Sequence, residues 1–305
     1  MARDGLHVID KPAGLTSHDV VQHVRRALGQ RRVGHGGTLD PDATGVLLVA
    51  AGQATRFFPF LVKEGKVYEG RIRLGFATDT HDASGRPLSE AGADLPDREA
   101  VAAAMAVFVG DILQTPPRFS AKKLGGRPVY KLARAEKEFE LEPVRVTITR
   151  FDLKGYVPPD VDFEAACSAG TYIRSLAHDL GRRLGCGAHL AALRRTSVGA
   201  YGLDRAVALA AFEDAAVRGE ADRFIQPLET LLPWAPAVTV RPEGESHVKN
   251  GRPLGSAELM EPWTGPEVPG DRPAGPIRLL SRGGKLLALA SPTSEGALHP
   301  FLVIS

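Results

Sequence analysis

The sequence predicts an α+β protein with a small all-β tail, and three patterns carry that expectation. Residues 66–74 alternate, with Tyr68, Ile72 and Leu74 on one face and Glu69, Arg71 and Arg73 on the other, the period of a half-buried strand. Val20, Val21, Val24, Ala27 and Leu28 recur at helical spacing, as do Ile173, Leu176, Ala177, Leu180 and Leu184. Beyond Leu232 the apolar runs shorten, and residues 233–305 hold 11 of the 23 prolines. A chain of 305 residues is long enough for about two domains. The change of character near Leu232 marks the start of a small, separate all-β domain.

In chain order, residues 6–10 read as a short strand, closed by the turn Lys11-Pro12-Ala13-Gly14. Thr16 or Ser17 caps the first helix and Gly29 ends it. A Gly-rich loop over 33–45 leads into the apolar strand 46–50, and the alternating strand 66–74 follows. An Ala-rich helix covers 98–108, and a basic loop over 115–128 precedes a helix at 129–137. Residues 144–156 and 161–168 pair as strands, 172–184 form a helix, 190–198 a strand and 205–218 a helix. The tail has short strands at 238–241, 277–280, 285–290 and 301–304, with a Pro/Gly loop at 261–276 too polar for a core.

Hydrophobic residues at 43% and charged residues at 24% exclude wholesale disorder. The net charge of +2 means that a nucleic-acid footprint must be a local patch. Cys167 and Cys186 cannot build a disulfide framework and suit a reducing, cytoplasmic compartment. No signal-peptide apolar segment follows Met1, and the apolar run 46–51 is far short of the roughly 18 residues of a membrane helix.

The densest unusual stretch is Gly34-His35-Gly36-Gly37-Thr38-Leu39-Asp40-Pro41-Asp42-Ala43-Thr44-Gly45. No Gly-Lys-Ser/Thr follows, so it is not a phosphate-binding P-loop, and neither Gly-x-Gly-x-x-Gly nor Gly-x-Ser-x-Gly occurs. Cys167, His178, Cys186 and His189 fall within 23 residues but match no finger or ribbon spacing, and they read as structural, with no metal expected. Asp79 and Asp82 form an acidic pair in a turn, an arrangement that is usually solvated. Arg25-Arg26, Arg31-Arg32, Lys122-Lys123, Arg182-Arg183 and Arg194-Arg195 cluster around the Gly-rich loop, a pattern that suits a polyanion. Tyr68, Phe119, Tyr130 and Tyr172 serve equally well as core or as stacking faces for unpaired bases.

Read as G-H-x-G-x-L-D-P-x-A-x-G, residues 34–45 resemble the signature of the TruB-type tRNA pseudouridine synthases. The resemblance runs in order from about residue 5 to 235 through Asp10-Lys11-Pro12, Lys66-Val67-Tyr68, the acidic loop Thr78–Gly85, Gln114–Ala121, Tyr130–Arg134, Ser168–Leu176 and Leu184–Leu190. Phe119 and Lys122 depart from the family's usual Tyr-Ser-Ala-Leu-Lys. The tail, with Lys249-Asn250-Gly251, is similar to a small PUA-like RNA-binding β-barrel, and the 261–276 loop resembles an insertion in it.

This resemblance implies a mixed, mainly antiparallel sheet with flanking helices, a catalytic domain at 1–235 and a PUA-like barrel at 236–305. It implies isomerisation of uridine 55 in the tRNA T loop after base flipping, by a monomer without cofactor, metal, membrane or guide RNA. Asp40 matches the catalytic aspartate, and both attack on C1′ and removal of a sugar proton lie within a carboxylate's chemistry. Tyr68 matches the residue that stacks on the target base, its hydroxyl available as acid or base. Arg174 pairs with Asp40, and Tyr172 lines the pocket. His35 fills the space of flipped bases, Asp82 and Leu193 contact the base region, and Lys11 sits near RNA or holds the loop.

Overall fold

The computed structural model describes residues 3–90, 92, 94–117, 141–263, 265, 275–294 and 296–304, with the backbone of residues 123–124 and 127–128. The helix expected at 129–137, together with Phe119 and Tyr130, lies outside the described residues.

Strand β1 (Gly5–Lys11) is followed by helix α1 (Ser17–Leu28), β2 (Val33–Gly36), β3 (Thr44–Ala51), the single-turn α2 (Phe58–Leu61) and β4 (Lys66–Leu74). Helix α3 (Arg98–Ala106) and β5 (Gly110–Gln114) come next, then the two-residue ladder of β6 (Lys123–Leu124) and β7 (Arg127–Pro128). The hairpin β8 (Val144–Val157) and β9 (Asp160–Cys167) leads to α4 (Ile173–Leu184), β10 (Ala188–Val198), β11 (Tyr201–Gly202), β12 (Val207–Ala208) and α5 (Leu209–Val217). Ten strands form one sheet in the order β12-β1-β3-β10-β4-β9-β8-β5, with β2 on β3 and β11 on β10. Pairing is antiparallel except for β1 with β12 and β3 with β10.

Local chemistry accounts for the elements that position the site. Thr16 and Asp19 close a reciprocal capping box on α1, which turns Val20, Val21 and Val24 into the core, and Gly29 ends the helix at φ 60°. The alternation in β4 works as its sequence demands: Tyr68, Ile72 and Leu74 are buried, while Glu69, Arg71 and Arg73 are exposed. The close parallel contact of β3 and β10 requires Gly45, because a Cβ there would lie 2.1 Å from the Arg195 carbonyl oxygen. That contact sets residues 37–43 beside β10.

Three expectations are corrected. The loop expected over 33–45 begins as a strand: β2 pairs with β3 from Val33–Ala51 to Gly36–Leu48, and its glycines let the Phe58 ring lie against the backbone. The helix expected over 205–218 is shorter, because Val207 and Ala208 pair with β1 before α5 starts. The barrel expected in the tail does not close. Strands β13 (Ala237–Thr239), β14 (Ile277–Leu280), β15 (Leu286–Pro292) and β16 (Leu298–Val303) form an open four-stranded sheet in that order, with β13 parallel to β14. Between β13 and β14 the described chain makes turns, single 3-10 turns at Pro242–Gly244 and Ser256–Glu258, a short helix α6 (Glu245–Lys249) and isolated bridges. Pro242, Pro253 and Pro262 there each lack the amide donor that a closing strand needs. Leu286, Leu289 and Leu302 of this sheet share one apolar cluster with Leu6, Leu48 and Phe57.

Candidate active site

The loop 37–43 is held from below by Lys11 and Ser17. Lys11, at the end of β1, has no exposed surface, and its ammonium donates to the carbonyls of Pro12 (2.9 Å), Pro41 (2.8 Å) and Ala43 (2.7 Å). Burial pushes its pKa down from the ordinary lysine value. Ser17, in the first turn of α1, accepts from the Leu39 amide at 2.9 Å and donates to the Leu39 carbonyl at 3.1 Å. Asp40 thus projects between two anchored neighbours.

Arg174, in the first turn of α4, meets it with a two-pronged pair. Nε lies 2.9 Å from Asp40 Oδ2, and Nη2 donates to Oδ1 at 3.2 Å. The third nitrogen, Nη1, reaches Asp82 Oδ2 at 3.4 Å and the Thr80 carbonyl at 3.3 Å. Asp82 is fixed in turn: its Oδ1 accepts from the hydroxyls of Thr80 and Ser84, each at 2.6 Å. Asp79 instead ties its own loop by accepting from the Arg86 amide at 2.8 Å. The start of α4 has no side-chain cap, and Gln114 serves there, accepting from the Tyr172 amide at 2.8 Å and donating to its carbonyl at 3.0 Å.

The electrostatics follow from this packing. Burial raises the Asp40 pKa above its ordinary value; Arg174 and Lys11 oppose the rise, and Asp82 and Asp42 add to it. Burial likewise raises the Tyr68 hydroxyl, against the field and hydrogen bond of Arg195. A guanidinium can only donate, so Arg195 does not engage the phenolic proton of Tyr68.

A cleft of about 370 Å³ is lined by Asp40, Tyr68, Tyr172, Arg174, Leu193 and Arg195, among others. A second, of about 690 Å³, shares Asp40, Arg174 and Leu193 and adds His35 and Asp82. The structure therefore brings together seven of the eight residues singled out from the sequence; Lys11 lies beneath the loop, as its holder. Ser17, Gln114 and Arg195 carry no site role in the sequence reading, where Ser17 is a cap candidate and Arg195 half of a basic pair.

Arg194 and Arg195 correct the reading of that pair as polyanion footprint. Arg195 is 1% exposed, donating to the carbonyls of Val46 (2.8 Å) and Gly37 (3.0 Å), and Arg194 pairs with Asp10 at 2.7 Å. Register explains it, since Arg195 pairs with Gly45 on one side and Tyr68 on the other. Cys167 is buried at the end of β9, while His189 lies against Phe76 and His178 against His81. No three His, Cys, Asp or Glu side chains among the described residues converge on one point.

Residues 25–173 match the TruB family pseudouridylate synthase N-terminal domain, and residues 174–233 match the tRNA pseudouridylate synthase B C-terminal domain. A tRNA pseudouridine synthase B of Solibacter usitatus is 40% identical over 302 residues, 99% of this chain and all of that one. Its counterpart from Geobacter sulfurreducens is 42% identical over 288 residues, 94% of this chain and 93% of that one. Among solved structures, an H/ACA RNP bound to a substrate RNA containing 2′-deoxyuridine has a chain that superposes with a TM-score of 0.74 at 26% identity, covering 99% of this chain and 85% of that one. The chain belongs to the TruB family of tRNA pseudouridine synthases, isomerases that convert uridine 55 of the T loop by an aspartate-dependent reaction.

Proposed function

We propose that Asp40 is the reacting carboxylate of this isomerase and that Arg174 keeps it ionised and aimed while a flipped uridine fills the cleft. The observation that carries this reading is the two-pronged Arg174–Asp40 pair in the wall of the cleft that Tyr68 and Leu193 also line. A flipped base displaces water from Asp40, which makes an ionised carboxylate costly unless a fixed cation compensates. The N1–C1′ bond breaks, the uracil turns, C5 bonds to C1′, and the C5 proton leaves while N1 gains one. Both attack on C1′ and removal of a sugar proton are open to Asp40 in this position. Tyr68 stacks on the base and offers its phenolic proton, Tyr172 and Leu193 enclose the ring, Asp82 steadies Arg174, and His35 takes the place of neighbouring flipped bases.

The partner is the tRNA T arm, bound by a monomer without guide RNA. The 40–42% identity to the tRNA enzymes, against 26% to the RNP chain, favours this over a guide-directed role. The sheet formed by β13–β16 supports a division into a catalytic domain at 1–235 and an RNA-binding domain at 236–305. No described helix is long and apolar enough to cross a membrane.

Single turnover of a T-arm stem-loop, with no other RNA added, tests this reading, and pseudouridine is the expected product. Tyr68→Phe is expected to slow that turnover more than it weakens binding, because only the proton carrier goes. Tyr68→Leu should damage both, since base–aromatic stacking contributes about 1–3 kcal/mol. Equal binding losses in the two variants would remove the distinction. Arg26, Arg31, Arg32, Arg182 and Arg183 are exposed and available to phosphates. If they and their neighbours neutralise ~4–6 phosphates, affinity should fall about 100- to 1,000-fold between ~50 and ~200 mM salt. A flat salt dependence would sink the basic footprint.

A further inference from the structure

We propose that the stacked imidazoles of His81 and His178 are a clamp that fixes the acidic loop 78–84 on α4 and so holds the Arg174 fork on Asp40. The two rings lie face to face, with centroids 3.9 Å apart and planes 6° from parallel. One comes from the loop that carries Asp82, the other from α4, one turn beyond Arg174. Arg174 makes the neighbouring link between the same two elements, through the Thr80 carbonyl and Asp82.

His81 is bolted in place. Its backbone sits in the left-handed region at φ 65°, where a Cβ is strained, and such strain persists only when the surroundings fix it. Its amide donates to the Thr78 carbonyl at 3.2 Å, and its own carbonyl accepts from the Leu190 amide of β10 at 3.0 Å. The Nδ1 atoms of both rings are buried without a hydrogen-bond partner among the described residues, so the faces of the rings make the junction.

The surrounding charges are Arg174, Asp179 and Arg182 on α4 and Asp79 and Asp82 on the loop; β10 presents the Leu190 backbone. Burial first, then its neighbours His178 and Arg174, push the His81 pKa down to about 4, and burial lowers His178 as well. Both shifts favour the uncharged rings, so the face-to-face stack is not opposed by repulsion between two cations. With the stack removed, the hydrogen bonds of Arg174 are left to hold the loop on the helix, and the same guanidinium must also serve Asp40. His81 and His178 are in this sense positioning residues.

The inference rests on the Asp40–Arg174 reading above, and the test separates the two. Single turnover of a T-arm stem-loop is followed from acid to neutral pH, alongside binding of the same RNA. His178→Ala is expected to lower the rate constant about 10-fold with RNA affinity unchanged. It should also move the acid limb to higher pH, because Asp40 loses part of its compensating cation. His178→Phe keeps a flat face and loses no hydrogen bond at Nδ1, so it should restore both the rate and the limb. His178→Leu, which fills the space without a flat face, replaces His178→Ala if that variant does not fold. A wild-type rate and limb in His178→Ala or His178→Leu would overturn the clamp, as would a His178→Phe variant as impaired as either. Turnover surviving in Asp40→Asn would instead overturn the underlying site reading, whatever the histidine variants do.

Discussion

Asp40→Asn is expected to abolish pseudouridine formation while leaving the fold and T-arm affinity nearly intact. The amide fills the same space between Leu39 and Pro41, and the anchors of the loop, Lys11 and Ser17, touch neighbouring backbone and not the Asp40 side chain. What is lost is the negative charge, and with it both a nucleophile and a base. A drop of about 10⁴-fold or more in the single-turnover rate is the scale for removing such a group. The Arg174 guanidinium keeps its bonds to Asp82 and the Thr80 carbonyl, so it is not stranded. Appreciable product from this variant at unchanged purity would mean that another group carries the reaction.

Lys11→Met is expected to cost both stability and turnover, although Lys11 lines neither cleft. The substitution preserves the apolar stem and removes an ammonium that satisfies three carbonyls, those of Pro12, Pro41 and Ala43. Leaving buried acceptors unpaired costs about 1–3 kcal/mol for each group that cannot find water, so a loss of roughly 3 kcal/mol is expected. Two of the three acceptors, Pro41 and Ala43, follow Asp40 in its own loop, and without the ammonium that loop loses its fixed height over Arg174. A misplacement of about 1 Å in a reacting group can cost about 100-fold in rate. Denaturant midpoints at unchanged slope would report the stability, and saturating single turnover the rate. Wild-type values for both would show that the loop is held by something else.

Much of the scaffold was legible because its information is local. The β4 alternation, the capping box of α1 and the apolar stripe of α4 each follow from the spacing of neighbours along the chain. Asp40 and Arg174 were legible only through the resemblance of their flanking residues, since nothing in spacing alone joins positions 134 residues apart. What stayed hidden is what long-range register decides. Arg195 reads as one half of a surface pair until the parallel contact of β3 and β10 buries it under Tyr68. Gln114, at the end of a strand that the sequence reading did not place, shows its role only where the fold brings it to the uncapped start of α4. The stacked histidines come from a turn and a helix 97 residues apart. The barrel in the tail is what the resemblance implies, whereas the short apolar runs predict strands and not their pairing; the pairing of β13 with β14, and the prolines between them, leave an open sheet.

The most direct test of the central claim is to incubate the purified protein with an unmodified full-length tRNA transcript, with no guide RNA, and map every pseudouridine formed. One equivalent at position 55 of the T loop, and none elsewhere, is the predicted result. No product, or product at other positions, would contradict the account.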